Sequence, residues 1–236
     1  MANVEEILAE LQSLGKESYR QTMIRHGARD PIYGVSVEDL KKIQKRIKKD
    51  HTLALALFDT GVSEAMYLAG LLIDDDQITQ EDLHRWAWAS SFSLHCECTV
   101  AWTAAESRHG RELALQWIDS PEANVAAAGW ATLSSLVAIT PDEKLDLEEI
   151  EALLLRVQNT IHHAPNRVRS VMNGFVIAVG VYVWPRMEQA LCIGEAIGPV
   201  TIDTGDTACR VPFAPDSIRK VQARGTIGKK RKHARC

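Results

Sequence analysis

Apolar residues recur along the chain at every third or fourth position, which is the spacing of one face of an α-helix. The first such segment runs from Val4 to Leu14, with Ile7, Leu11 and Leu14 on one face and Asn3 before it as a candidate N-cap. No alternation with a period of two residues persists long enough to indicate a β-strand. The pattern therefore predicts an all-α protein.

About a dozen helices of moderate length, joined by short loops, follow from this periodicity and from the positions of Gly, Pro and capping residues. The spacing of roughly 35–45 residues between successive helix pairs is typical of a HEAT-like α-solenoid, with a compact helical bundle as the alternative. The predicted helices are Val4–Leu14, Lys16–His26, Val37–Lys48, His51–Asp59, Ser63–Ile73, Gln80–Ala89, Leu94–Glu106, Arg111–Ile118, Pro121–Ala138, Leu147–His163, Val168–Val183, Pro185–Ile197 and Ser217–Arg224.

The texture of the sequence changes near residue 199. Residues 1–198 carry the helical pattern and are predicted to form the solenoid domain. Residues 199–236 are predicted to form an irregular C-terminal extension with one short helix, Ser217–Arg224, and a basic tail. The tail is either ordered by phosphate groups or disordered on this interpretation.

Bulk composition excludes several classes of protein. The 236 residues are 46% hydrophobic and 25% charged, which is ordinary for a globular protein. No apolar run reaches the roughly 18 residues of a membrane span, and the N-terminus lacks the pattern of a signal peptide, so we expect a cytoplasmic protein without membrane contact. The five cysteines form no disulfide framework and are expected to be reduced.

A metal or cofactor is not expected. His95, Cys96 and Cys98 have the residue types of a zinc site, but they lack its usual spacing and a second pair of ligands. Small buried thiols are the simpler explanation. The sequence assigns no role to Cys209 or Cys236.

Charge is distributed unevenly along the chain. Residues 210–236 contain nine Lys or Arg residues and one acid, whereas residues 1–209 contain 18 basic and 30 acidic residues. An acidic body with a basic tail suggests an anionic partner for the tail, at Lys229, Lys230, Arg231 and Lys232.

A second basic surface is predicted on the helix Val37–Lys48, where Lys41, Lys42 and Lys45 lie outside the apolar stripe. Clustered basic side chains on one helix are the usual footprint of contacts to a phosphate backbone. A solvated helix face is the alternative interpretation.

The most unusual stretch lies between Trp86 and Trp102. It contains three of the six tryptophans and one acid, Glu97, among small and aromatic residues. Glu97 is the first candidate for a functional carboxylate, and a packed core helix with a polar edge is the alternative. Asn173, within an otherwise apolar helix, is a candidate cleft-facing residue or a polar edge.

Four segments, in this order, resemble AlkD-type DNA alkylation-repair proteins. They are Tyr33-Gly34-Val35-Ser36-Val37-Glu38-Asp39-Leu40-Lys41-Lys42, the stretch from Trp86 to Trp102, Asn124 to Trp130, and Arg167 to Phe175. The C-terminal part resembles a branch of that family with its own ending. The resemblance implies a HEAT-like solenoid with a concave, basic, DNA-binding face and, in its glycosylase members, removal of cationic alkylated purines.

The same resemblance implies roles for individual positions. Glu97 takes the place of the catalytic aspartate, and Phe175 takes the place of an active-site tryptophan. Ser93 and Ala127 stand where the family has a tryptophan and an arginine. Trp86 is a further candidate aromatic contact to DNA.

Three functional hypotheses follow. The first is a DNA-binding protein that resembles the alkylation-repair glycosylases and has an altered active site. The second is a non-catalytic binding module on the same solenoid, and the third is a protein scaffold that does not bind nucleic acid. Double-stranded DNA is the expected partner, a protein partner is the alternative, and we expect the protein to be a monomer.

Overall fold

In a computed structural model, the protein is described over residues 3–204 and 209–235, and that part of the chain contains thirteen α-helices and no β-strand. The all-α prediction is confirmed. The helices are α1 Val4–Leu14, α2 Glu17–Arg25, α3 Val37–Ile47, α4 His51–Asp59, α5 Ser63–Leu72, α6 Gln80–Ala89, α7 Ala101–Glu106, α8 Gly110–Trp117, α9 Ala123–Ile139, α10 Leu147–Thr160, α11 Asn166–Tyr182, α12 Met187–Ile197 and α13 Ala214–Gln222.

Polar residues at the helix starts fix several of these boundaries. The Asn3 side chain accepts a hydrogen bond from the Glu6 backbone N–H, and the Glu6 carboxylate accepts one from the Asn3 N–H. Thr79 and Asp82 make the same reciprocal arrangement at the start of α6. Such capping boxes satisfy N–H groups that lack partners within the helix, so these starts could be predicted from the sequence.

The central element differs from the prediction. In place of one α-helix over Leu94–Glu106, residues His95–Val100 form a π-helix, which continues into α7. A π-helix carries more residues in each turn than an α-helix, and hydrophobic spacing cannot distinguish the two over six residues. Glu97, the candidate carboxylate, lies within this π-helix.

Four predicted helix starts were displaced by two or three residues, including those at Val168 and Pro185, where the helices begin at Asn166 and Met187. Pro121 was expected in the first helical turn, but α9 begins at Ala123. The last helix begins at Ala214 rather than Ser217, with Pro215 in its first turn, where the missing N–H of proline has no helical partner to lose.

The inner helices α5, the π-helix with α7, α9 and α11 pack side by side, and outer helices such as α4, α8, α10 and α12 pack against them. As predicted for buried members of a stack, α9 and α11 are apolar around most of their circumference. Gly180 in α11 leaves room for α13, because a Cβ atom added there would lie within 2.4 Å of Ile218 Cδ1. The C-terminal extension is thereby seated on the last inner helix.

Protein groups hold the basic tail in place. We call residues 228–235 the C-terminal strap, because they run along the C-terminal ends of four inner helices. The Gly228 and Arg231 backbone N–H groups each donate to a carbonyl 2.8 Å away, on Val181 of α11 and Ala138 of α9 respectively.

The end of the strap reaches α7 and α5. The Ala234 N–H donates to Glu106 Oε1 at 2.6 Å, and Arg235 Nε donates to the Gly70 carbonyl at 2.7 Å. Carbonyls at helix C-terminal ends lack partners within the helix, so a cationic strap there satisfies them and complements the helix dipoles. Cys236 lies outside the described residues, and the proposed domain boundary at residue 198 stays a prediction.

Within the described residues, no single helix is long and apolar enough to cross a membrane. One pair bent by 117°, Asn166–Tyr182 with Trp184–Ile197, passes by length and composition alone.

Candidate functional site

Glu97 meets an arginine from a distant part of the chain. Its Oε1 accepts a hydrogen bond from Arg167 Nη1 at 2.8 Å, and the two side chains are 31% and 28% exposed. Arg167 lies in the first turn of α11, seventy residues from Glu97. The candidate carboxylate therefore stands in an ion pair at the protein surface.

Burial and charge act on Glu97 in opposite directions. Desolvation raises the pKa of its carboxyl group, and the guanidinium of Arg167 opposes that rise. Beside Glu97 in the π-helix, burial lowers the pKa of His95 to about 4 and raises the pKa of the Cys96 thiol to about 12. At neutral pH the imidazole of His95 is uncharged and the Cys96 thiol is protonated, so neither adds a charge beside the ion pair of Glu97 and Arg167.

Two adjoining hollows share Glu97 as a lining residue, and together we call them the Glu97 cleft. The first, of about 410 Å³, contains Arg25 and His26 from the end of α2 together with Ser93 and Arg167. The second, of about 340 Å³, is lined by the middle of α9 and α11, with Ser134, Asn173 and Pro212 among its residues. Among the described residues lining either hollow, none is a Phe, Tyr or Trp.

The predicted aromatic contacts lie elsewhere. Phe175 is fully buried beside Trp130, with ring centroids 5.3 Å apart, and lines a separate hollow between α9 and α10. Trp86 is also fully buried and stacks on Phe58 at 4.2 Å. Both rings are therefore covered by core residues, and a role for Phe175 and Trp86 in binding DNA stays a prediction.

Asn173 does line the Glu97 cleft, as expected for a cleft-facing residue. Its Nδ2 donates to the Pro212 carbonyl at 2.9 Å, and the side chain is 3% exposed. This bond attaches the C-terminal extension to α11. Of the two positions that depart from the family pattern, Ser93 lines the cleft and Ala127 is fully buried in the core.

Arg167 was missed by the sequence interpretation, although a signal for it exists. Arg167, Ser170, Gly174 and Ile177 follow one another at helical spacing, and all four line the cleft. This mostly polar or small stripe on an otherwise apolar helix marks the face that is turned away from the core.

The predicted basic residues are only partly available to a ligand. Lys42 pairs with Glu38 and Asp39, and Lys230 pairs with Asp142 at 2.7 Å. Lys41 and Lys45 of α3, and Lys229 and Lys232 of the strap, have no carboxylate partner among the described residues. Arg231 is half-buried, and its Nη2 donates to the Arg235 carbonyl at 3.2 Å.

The two basic segments meet at Asp75. Arg235 Nη1 donates to Asp75 Oδ2 at 2.9 Å, and Lys49 Nζ, two residues beyond α3, lies 3.4 Å from the same oxygen. The end of the strap and the end of α3 therefore converge on one carboxylate. We call four exposed cations of these two segments, Lys45, Lys48, Lys229 and Lys232, the basic rim.

Sequence and structure comparisons now place the protein. The model of a family described as DNA alkylation repair enzymes matches residues 7–191. The chain belongs to this DNA alkylation repair family.

Two relatives in Listeria align with nearly the whole chain. The uncharacterized protein Lmo0209 of Listeria monocytogenes is 32% identical and Lin0241 of Listeria innocua is 31% identical, each over 95% of this chain and 99% of its own length. A solved structure is 33% identical, superposes with a TM-score of 0.92 and covers both chains completely. That protein represents a new family related to the HEAT-like repeat DNA glycosylases, with affinity for branched DNA structures. The predicted HEAT-like solenoid is thus confirmed.

In this protein the Glu97 cleft combines a carboxylate with an arginine that pairs with it. Among the described residues, no group of three or more His, Cys, Asp or Glu side chains could hold a metal ion. The chemistry that these side chains offer is that of charge and hydrogen bonding.

Proposed function

We propose that this member of the DNA alkylation repair family binds branched DNA without excising bases. The observation that carries the proposal is the ion pair between Glu97 and Arg167 in a cleft that has no Phe, Tyr or Trp among its described lining residues. The proposal selects the non-catalytic hypothesis over the glycosylase and the scaffold.

The first argument concerns the carboxylate. Release of a cationic purine builds positive charge on the sugar, and a nearby carboxylate accelerates the reaction by stabilising that charge. Arg167 lies 2.8 Å from Glu97 Oε1 and already supplies the positive partner. A sugar cation at this site would have to compete with a guanidinium for the same oxygen atoms.

The second argument concerns the base. Enzymes that act on a base within a duplex rotate it into a pocket and hold it by stacking against aromatic or apolar side chains. The cleft is lined by polar side chains and by a few aliphatic ones such as Val171, Ile177 and Ile202, with no aromatic ring of Phe, Tyr or Trp among its described residues, while Phe175 and Trp86 are buried in the core. An extruded purine would find little stacking surface beside Glu97.

Support for a DNA partner comes from charge and from the solved relative. The basic rim comprises four exposed cations without carboxylate partners among the residues described, which suits contacts to phosphates. Branched DNA is favoured over plain duplex because the relative with affinity for branched DNA is similar over its full length. These two lines of support are independent of each other.

The test is a binding assay with base release measured in the same samples. We would compare a three-way junction, a plain duplex and a methylated duplex at two salt concentrations, for the natural protein and for Glu97→Gln. We expect salt-sensitive binding that favours the junction, and no free alkylated base from either protein. Base release that disappears in Glu97→Gln would restore the glycosylase hypothesis, and no binding at low salt would leave the scaffold.

A further inference from the structure

One tryptophan outside the cleft is largely open to solvent. Trp184 is 64% exposed and lies in the short 3₁₀ turn Trp184–Arg186 at the end of α11. Four of the other tryptophans are buried or half-buried, and only Trp88, on α6, is comparably exposed at 61%. An exposed tryptophan leaves a large apolar surface in contact with solvent instead of burying it in the core.

The backbone around Trp184 is firmly held. Its N–H donates to Asp142 Oδ2 at 3.2 Å. The ring of Pro185 fixes its own φ angle and limits the backbone angles of Trp184 before it. Arg186 donates from Nε and Nη2 to the Leu147 carbonyl, at 3.2 and 3.0 Å. The indole is therefore attached to a fixed turn, so little conformational entropy of the turn is lost when a ligand stacks on the ring.

The C-terminal strap passes beside this indole. A Cβ atom added to Gly228 would lie 3.3 Å from Trp184 Cβ, so the strap backbone is in close contact with the side chain. Asp142, which accepts from the Trp184 N–H, also pairs with Lys230 Nζ at 2.7 Å. The next exposed cations along the strap are Lys229 and Lys232.

An exposed aromatic ring bordered by lysines is the combination that proteins use to bind single-stranded nucleic acid. A base of any identity can stack on the ring, while the lysines contact the phosphates on either side. Trp88 lacks this setting, because its neighbour Arg85 is paired with Asp59 and Asp82. Charge complementarity therefore favours a nucleic-acid ligand at Trp184 over one at Trp88.

We propose that Trp184 stacks on an unpaired base at the branch point of a DNA junction, with Lys229 and Lys232 contacting the flanking phosphates. This inference rests on the proposed binding of branched DNA and adds the feature of the branch that is recognised. A fully paired duplex has no such base to offer, so the contact would favour junctions over duplex.

The experiment uses the full-length protein and four variants: Trp184→Ala, Trp184→Phe, Trp88→Ala and the double variant Lys229→Ser/Lys232→Ser. The ligands are a three-way junction with 2-aminopurine as its unpaired base, and a fully paired duplex. We expect Trp184→Ala to weaken junction binding about fivefold or more, since base stacking contributes at least that factor. Trp184→Phe should keep most of the affinity, and Trp88→Ala should change nothing.

Two further readouts separate stacking from folding. The 2-aminopurine fluorescence should be quenched by the natural protein and not by Trp184→Ala. The Lys229→Ser/Lys232→Ser variant should bind DNA with a weaker dependence on salt. The slope of log binding constant against log salt concentration should become shallower by about one unit for each phosphate contact that is lost.

Junction binding by Trp184→Ala that equals the natural protein, with unchanged 2-aminopurine quenching, would overturn this inference and leave the proposed function standing. Absence of junction binding by the natural protein would overturn both. Equal loss of junction binding in Trp184→Ala and Trp88→Ala would also refute a role specific to Trp184.

Discussion

The contact between Arg235 and Asp75 provides a quantitative test of the C-terminal strap. The guanidinium donates to both carboxylate oxygens of Asp75, to the Gly70 carbonyl and to Thr103 Oγ1. The side chains of Arg235 and Asp75 are 18% and 9% exposed, so this is a mostly buried ion pair. Replacing Arg235 by Ala removes the guanidinium and leaves the carboxylate behind.

The magnitude follows from what remains at the site. Breaking a buried ion pair by removing one partner typically costs about 3–5 kcal/mol. Lys49 Nζ, 3.4 Å from Asp75 Oδ2, still compensates part of the charge, which lowers the expected loss for Arg235→Ala to about 2–3 kcal/mol. For a chain of this size that corresponds to a fall of roughly 5–10 °C in melting temperature.

Urea unfolding and thermal melting would measure this loss, with Arg224→Ala as the matched control. Arg224 is exposed and has no carboxylate partner among the described residues, so its replacement should change stability by less than about 0.5 kcal/mol. Equal stability of the two variants would show that the strap does not hold Asp75 in solution. The salt dependence of DNA binding should not change in Arg235→Ala, because this cation is already engaged within the protein.

Two further predictions concern buried polar groups. Glu64→Gln should destabilise the protein by about 2–4 kcal/mol in urea unfolding, because the buried Glu64 carboxylate accepts hydrogen bonds from the backbone N–H groups of Tyr33, Gly34 and Val35. The control variant Glu38→Gln replaces an exposed carboxylate and should leave stability almost unchanged. Equal losses of stability in the two variants would contradict the reasoning. Burial lowers the pKa of His95 from 6.5 to about 4. As the pH falls, the unfolded chain therefore takes up a proton at this residue before the folded protein does. The stability contributed by the neutral imidazole is complete above pH 6.5 and is lost as the pH falls towards 4. His95→Gln should remove about 2 kcal/mol of the stability change between pH 7 and pH 5, and an unchanged pH dependence would refute the assignment.

Most of the helices could be predicted because their signals are local. The capping residues Asn3, Ser36 and Thr79 lie next to the apolar stripes that they precede, and each accepts the predicted backbone hydrogen bond. The π-helix was not predicted because, over six residues, its pattern of apolar positions is almost the same as that of an α-helix. The π-helix carries Glu97 and also packs against α5 and α9, so it belongs to both the site and the core.

The candidate site was less predictable because its determinants are far apart in the sequence. Clustered charge in Lys229–Lys232 suggested a ligand, but two contacts of Lys230, to Val137 and Asp142, come from about ninety residues earlier. Burial of Phe175 depends on the packing of α11 against α9, so matching its position to a family motif could not reveal that the ring is covered. Sequence position preserves residue type, whereas exposure is decided by the tertiary fold.

Glu97 shows how this distinction affects an argument about activity. A carboxylate at the family's catalytic position stabilises a developing sugar cation less where a guanidinium already pairs with it. Arg167 comes from a separate inner helix, and its position depends on the packing of α11 rather than on the π-helix that carries Glu97. The pair can therefore form without any change in the segment that resembles the catalytic motif. A cleft in which Arg167 pairs with Glu97, and which has no Phe, Tyr or Trp among its described lining residues, supports the proposed binding of DNA without removal of a base. An exposed aromatic surface lies instead outside the cleft, at Trp184 beside the strap.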